Sequence, residues 1–433
     1  MTPNRFITAL EHQPIPITAG GIGWSLTPAE AERLAHIGEQ RPGFCEVGHR
    51  KVKVAQFCGV VGLGDRILEI LPKTQDAGST VEECRGVLLR LLGWTERFPH
   101  FKHQPVGQQL RRAPLLEAFI SAFFDAVITV LRGGLLKQYQ EHEDDLRVVR
   151  GRISLERQLG SHSNRPDVVA CAFDELAVDN VWNRILKKAI RCTRPWIRSV
   201  ELNRKWVELM GMLDSVEDAR LSSTDVARLA FNRQAERYRA AIDWARWILA
   251  LLAPALRAGR SEAPALLFDM NKLFESAVAK LVRTRMHGLA DVTVDVQDTS
   301  RNLVTMVDRE RVEPGFILRP DLVFRHHGSV VGIADTKWKL LAQDSRGRLI
   351  PNQVDMYQMH AYAAAFQCTD VRLIYPWRNE FVGRPETEFR LPAAEGRVAT
   401  VRVICIDVHA DELPTRLGQW PLFERDQTAR AAR

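Results

Sequence analysis

Long uninterrupted apolar runs are missing from this chain. The most apolar stretch, LLEAFISAFFDAVITVLRGGLL, carries Glu117, Asp125 and Arg132, so it reads as a buried helix and not as a membrane span. No basic segment followed by an apolar core opens the sequence, so no secretory signal is expected, and the protein is placed in the cytoplasm without membrane contact. The seven cysteines, Cys45, Cys58, Cys84, Cys171, Cys192, Cys368 and Cys405, include no C-x-x-C pair and are odd in number. That spacing excludes a zinc ribbon and a disulfide frame, and points to reduced core thiols. No G-x-x-x-x-G-K-[ST] occurs, and Ala19–Gly23 (AGGIG) lacks the lysine, so the chain should not hydrolyse nucleotides by itself. No H-E-x-x-H occurs either. His326 and His327 read as turn residues and not as metal ligands.

What remains is an ordinary water-soluble composition: 433 residues, 45% hydrophobic and 26% charged, long enough for two or three domains. A net charge of +7 and a pI near 9.1 permit a polyanionic partner. Between Arg184 and Lys205 the bases Arg184, Lys187, Lys188, Arg191, Arg194, Arg198, Arg204 and Lys205 face one acid, Glu201, with Trp182, Trp196 and Trp206 interleaved. Such a stretch can track a phosphate backbone, with Lys187, Lys188 and Arg191 as candidate DNA contacts; the alternative is a solvated helix face.

The pattern predicts an α+β multidomain protein in three parts. Residues 1–110 read as a β-rich domain, with a hairpin formed by VKVAQFCGVVGL, a Gly64-Asp65 turn and RILEILPK, and a helix from Pro28 capped by Thr27. Residues 111–255 read as helical, with VARLAFNRQAERYRAAIDWARWILALL as the last helix, and Arg257 to Glu262 marks the next boundary. Residues 256–433 alternate helix and strand, with DVRLIYPW and VATVRVICIDV as later strands and a frayed end at ERDQTARAAR.

The third part carries the chemistry. RPDLVFRHHGSVVGIADTKWK contains two alternating runs joined by His-His-Gly-Ser, a β-hairpin bearing Asp321, Asp335 and Lys337. Side chains two apart share a strand face, so Asp335 and Lys337 point together, Thr336 points away, and the partner strand brings Asp321 alongside. Two carboxylates suit Mg²⁺, with Mn²⁺ as an alternative, and an ammonium suits the charge that develops on a phosphate. Upstream, FDMNKLFESAVAKLVRTRM has helical spacing and carries Glu275. Downstream, NQVDMYQMHAYAAAF is a predicted helix with Gln358 and Tyr362 on one face, positioned to touch DNA or the lysine. Helix with Glu, strand with Pro-Asp, then strand with Asp-x-Lys resembles the PD-(D/E)xK nuclease core.

More of the chain resembles the McrC family, the endonuclease subunit of the McrBC 5-methylcytosine-dependent restriction system. The resemblance runs through GVVGLGDRILEILPK, LLEAFISAFFDAVITVLRGGLLKQYQEHEDDLRVVRGRISLERQL, FDELAVDNVWNRILKKAI, DMNKLFESAVAKLV, RPDLVFR, ADTKWK and QMHAYA. It implies a hexameric AAA+ GTPase partner of the McrB type that recognises methylated double-stranded DNA. It also implies an N-terminal β-rich finger that stimulates that GTPase, for which Asp65 and Arg66 are candidate contacts. The nuclease motif maps onto Asp321, Asp335 and Lys337, with Glu275 as a further member. Position 336 is Thr where the family often has Ala, a change without consequence if that side chain points away. The expected metal ligands are Asp321, Asp335, the Thr336 carbonyl and Glu275. The expected activity is phage defence by Mg²⁺-dependent DNA cleavage, two copies meeting to cut both strands. A catalytically inactive regulator of the GTPase and a stand-alone repair nuclease are the competing readings.

Overall fold

The computed structural model describes residues 5–21, 23–73, 78–95, 112–161, 167–218, 221, 226, 229, 231–252, 265–286, 291–308, 311–378, 381, 387–392 and 398–409. Contacts group Met1–Arg112 with Leu267–Arg433 as one compact unit and Ala113–Leu266 as a second. The pattern of elements predicts three parts, and by contact the first and third form one unit. The Arg257–Glu262 boundary and the ERDQTARAAR tail fall outside the described residues.

In the first unit the chain opens with Phe6–Leu10, which pairs in parallel with Ile67–Leu71; that strand pairs antiparallel with Phe57–Gly62. A fourth strand, Ala265–Asp269, completes the sheet on the far side of Phe57–Gly62. Helix Pro28–Gln40 starts where expected: Thr27 and Glu30 form a reciprocal capping box, with proline in the first turn. Helix Val81–Trp94 begins with the same device at Thr80 and Glu83 and is buried over most of its length. That burial includes Arg85, whose guanidinium binds the Glu69 carboxylate at 2.7 and 2.8 Å, while Thr8 Oγ1 donates to the same carboxylate at 2.8 Å.

The C-terminal part of this unit is built on a six-stranded sheet, ordered Val292–Val296, Leu322–His326, Ser329–Thr336, Asp370–Pro376, Val398–Ile406, Thr387–Pro392. Ser329–Thr336, Asp370–Pro376 and Val398–Ile406 run parallel and carry fully buried Ile333, Val371, Leu373, Val401 and Val403. Covered parallel strands of this kind read as continuous apolar runs. Helix Gln353–Ala365 supplies Met359, Tyr362 and Ala363 to the same core. The Asp321–Lys337 hairpin forms as the alternation predicts, with Leu322 opposite Ala334 and a left-handed His327-Gly328 turn (φ 49° and 79°).

The second unit holds helices Leu115–Arg132, Val181–Thr193, Val200–Met212 and Arg239–Leu252. Two expectations are corrected here. A three-stranded sheet of Gln138–Leu146, Val169–Ala177 and Arg152–Ile153 interrupts the helical pattern. QYQEHEDDL has no apolar alternation because the strand is exposed along most of its length; ion pairs such as Arg157–Asp145 (2.8 Å) brace it from outside. The last helix starts only at Arg239. The Asn232 side chain accepts from the Ala235 amide at 2.8 Å and turns the chain, and buried Tyr238 anchors the turn by accepting from the Leu136 amide at 2.8 Å.

Removing one partner of a buried ion pair leaves the other uncompensated. Arg85→Ala is therefore expected to destabilise the first unit by about 3–5 kcal/mol, measured by urea unfolding. The double change Arg85→Met with Glu69→Leu should cost much less, and equal losses would contradict a charge-based origin.

Candidate active site

Asp335 and Thr336 close the third strand of the six-stranded sheet, Lys337 follows at once, and Asp321 immediately precedes the neighbouring strand. Asp335 is 2% exposed. Burial pushes its carboxyl up to about 7; the nearby negative charge of Asp321 adds to the rise and Lys337 opposes it. The Asp335 Oδ2 atom is in direct contact with the Lys337 ammonium, yet it accepts no well-directed hydrogen bond. Asp321 is also raised, first by burial, and Thr336 and Lys337 counter this.

The lysine is held from several sides. Its amide donates to the Ile374 carbonyl at 2.8 Å, so the main chain stays docked on the next parallel strand beyond the end of its own. Its Nζ donates to Gln358 Oε1 at 2.8 Å. Gln358 Nε2 in turn donates to the Tyr362 hydroxyl at 2.7 Å and lies 3.4 Å from Asp335 Oδ1. The Tyr362 hydroxyl donates to the Arg319 carbonyl at 3.0 Å, two residues before Asp321. The network thus returns from one strand of the hairpin to the other through a single helix face, the one the Gln358–Tyr362 spacing predicts.

Thr336 departs from expectation. Its amide and its hydroxyl both donate to Asp321 Oδ2, at 2.6 and 2.7 Å. Alternation places its side chain away from Asp335, but Asp321 lies beyond the start of its own strand, and its carboxylate reaches across to the strand end. A threonine here is therefore not equivalent to alanine, since the hydroxyl orients one of the two aspartates.

Glu275, on helix Met270–Met286, is half-buried and receives Gln297 Nε2 at 2.7 Å. The Gln297 amide also donates to the Asp321 carbonyl at 3.0 Å, from a left-handed backbone (φ 53°). Burial and the charge of Asp321 both raise the Glu275 carboxyl. Gln297 and Asp355 were missed in the sequence. Asp355, 2% exposed, accepts from the Tyr375 hydroxyl and Lys339 Nζ, each at 3.0 Å, and its charge also raises Asp335. One signal was present: Asp355 stands one turn before Gln358 on the same helix.

Other candidates lie elsewhere. In the second unit Lys187 is buried, its ammonium donating to the Val216 carbonyl and lying 4.0 Å from Asp218, while Arg191 pairs with Asp218 at 2.5 Å. Neither is a free phosphate contact; an acid that folds back from beyond the next helix occupies them. Lys188 is half-buried. Arg66 is likewise not a polar tip: it binds Glu30 at 2.8 Å and the Gly21 and Ser25 carbonyls at 2.7 and 3.0 Å. Asp65 beside it is exposed.

Among the described residues no three His, Cys, Asp or Glu side chains form a ready metal cage, and no helix is long and apolar enough to cross a membrane. Two aspartates, a main-chain carbonyl and water oxygens make the sparser donor set that suits Mg²⁺, which keeps several waters. Two buried carboxyls side by side, both raised by burial and with the charge of Asp321 acting on Asp335, fit a cation at this place.

Asp335 has a testable signature in metal-free protein. With its folded value near 7 and an unfolded value of about 4, the native state holds a proton that the unfolded state lacks between those limits. Stability therefore falls as pH rises through that window, and the full cost is present above it. Asp335→Asn should raise the melting temperature by a few degrees at pH 8 in EDTA and leave it little changed at pH 4. A lower melting temperature at pH 8 would contradict this.

Residues 52–376 match the family model described as McrBC 5-methylcytosine restriction system component. No curated protein matches the chain. Among solved structures, a chain of the refined half-complex from the tetradecameric assembly of Thermococcus gammatolerans McrB AAA+ hexamers with bound McrC is similar, with a TM-score of 0.65 and 18% identity. That match covers 98% of this chain and 99% of the other, and at such identity it speaks for the fold. A chain from the cryo-EM structure of the Thermococcus gammatolerans McrBC complex gives 0.46 at 19% identity, over 66% and 89% of the two chains.

Proposed function

This chain belongs to the McrBC 5-methylcytosine restriction system component family, and we propose that it is the McrC-type subunit, a DNA endonuclease with a PD-(D/E)xK site that also stimulates GTP hydrolysis by an AAA+ partner. The observation that carries the reading is the convergence of Asp335, Lys337 and Gln358 beside a Thr336-oriented Asp321. The partner follows from two supports. The chain has no phosphate-binding loop of its own, and its structural relative comes from an assembly of McrB AAA+ hexamers with bound McrC. Residues 1–110 are the part proposed to meet such a ring.

Asp321, Asp335, the Thr336 carbonyl and Glu275 would hold Mg²⁺, with Mn²⁺ compatible with the same oxygens. When bound, the ion supplies Lewis acidity toward a phosphodiester and the attacking water. The remaining work falls to the chain. Thr336 keeps one Asp321 oxygen engaged and so leaves the other to face the site. Lys337, with its Nζ fixed by Gln358, donates hydrogen bonds to the water or to the non-bridging oxygens as negative charge grows on phosphorus. Tyr362 keeps the Gln358 amide from turning over, so its carbonyl oxygen always faces the lysine. Glu275, raised by burial and by Asp321, has Oε1 held by Gln297, which leaves Oε2 as the oxygen that would face the ion. One such centre breaks one strand, so a double-strand cut needs two copies.

The test is cleavage of methylated and unmethylated plasmid by the full chain with a McrB-type GTPase, GTP and Mg²⁺. Asp335→Ala and Lys337→Ala should each reduce cutting at least about 100-fold with GTPase stimulation retained, and Thr336→Val should reduce it less. Stimulation without any cutting by the wild type would replace this reading with that of an inactive regulatory subunit. Cutting without GTP or partner would indicate a stand-alone nuclease.

A further inference from the structure

The helix that carries Glu275 has a second polar face. Lys272, Ser276, Lys280 and Arg283 follow one another at spacings of four, four and three residues and so form one row, and Lys272 stands one turn before Glu275. The row rims a cavity of about 510 Å³, floored by apolar groups that include Phe57, Phe268 and Val296. Val296 is followed by Gln297, whose amide binds Glu275, so the cavity adjoins the candidate active site.

Its field is positive. Asp269 is the one acid among the described lining residues, and its carboxylate already accepts from Gln56 Nε2 and the Asn271 amide, each at 3.0 Å. Lys272 and Arg283 are exposed and neither makes an ion pair within 4.0 Å among the described residues, although the charge of Lys272 acts on Glu275. The basic stretch of the second unit differs: there Arg184, Arg191 and Lys205 are paired with Asp179, Asp218 and Asp125.

We propose that this row is the track for one strand of the DNA being cut, with phosphates on Lys272 and Arg283 and a base over the apolar floor; the proposal rests on the nuclease reading of the adjoining site. From Lys272 to Arg283 the helix rises roughly 16 Å, which matches the axial rise of about five phosphates of one strand. Cations at intervals along a groove with aromatic groups beneath are the recurring means of holding a strand without reading its sequence. An acidic protein segment would meet the cations but has no need of the aromatic floor.

The experiment is binding of a single-stranded oligonucleotide to the full chain in EDTA, followed across a salt series by fluorescence anisotropy. Each phosphate contact contributes about 0.7 to the slope of log K against log salt for a single strand. Lys272→Ala and Arg283→Ala should each lower the slope by about that amount and weaken binding several-fold at low salt, with unchanged melting temperatures. Arg191→Ala should change neither. Wild-type slope and affinity in the double variant, or no binding by the wild type at low salt, overturns the track. Unchanged DNA binding with lost binding to the GTPase overturns it in favour of a protein contact. The nuclease reading stands or falls separately, on whether the wild type with its partner cuts plasmid at all.

Discussion

A carboxylate in a dry place is the constraint around which this site is arranged. Asp335 lies in the buried second half of its strand, and the carboxyls of Asp321 and Asp355 both act on it. Without compensation the carboxylate would take up a proton and lose its charge, and the surroundings supply that compensation only in part. Lys337 approaches from one side, Gln358 stands at 3.4 Å, and one oxygen stays without a directed hydrogen bond. Incomplete satisfaction of this kind is costly in a purely structural residue. The cation proposed between Asp321 and Asp335 would supply the missing compensation.

The same economy extends outward through the first unit. Trp338, directly after Lys337, donates its indole N–H to buried Glu11 at 3.1 Å and lies against Phe274, next to Glu275, with ring centroids 5.4 Å apart. Gln56, at the mouth of the N-terminal sheet, accepts the Met270 amide at 2.8 Å through its carbonyl, and its side chain binds Asp269. Both flanks of the candidate site, the lysine segment and the glutamate helix, are therefore braced by the first seventy or so residues. Contacts made at the N-terminal sheet have a short physical route to the reacting groups, which suits a subunit whose cutting is proposed to answer to a partner.

Local features were the legible ones. The hairpin was readable because alternation and a His-His-Gly-Ser turn agree, the Pro28 helix because Thr27 and Glu30 sit at capping-box spacing, and the Gln358–Tyr362 pair because residues four apart share a helix face. Features set by distant residues were not readable. Arg66 looked like an exposed tip until Glu30, thirty-six positions away, captured it. Lys187 and Arg191 looked like phosphate ligands until Asp218 folded back on them. Thr336 was misread because strand alternation governs a ladder and says nothing of a carboxylate reaching across its end. The polar strand Gln138–Leu146 carried no periodic signal, since alternation arises only when one face is buried.

As proposed, Asp321 and Asp335 form one divalent-cation site. Titration of the intact chain with Mn²⁺, followed by the electron paramagnetic resonance signal of the free ion, tests it without reference to DNA or partner. Saturable binding is expected, with Mg²⁺ competing for the site and Asp321→Asn with Asp335→Asn abolishing it in a folded protein. Binding that persists unchanged in that double variant, or no binding by the wild type, would contradict it.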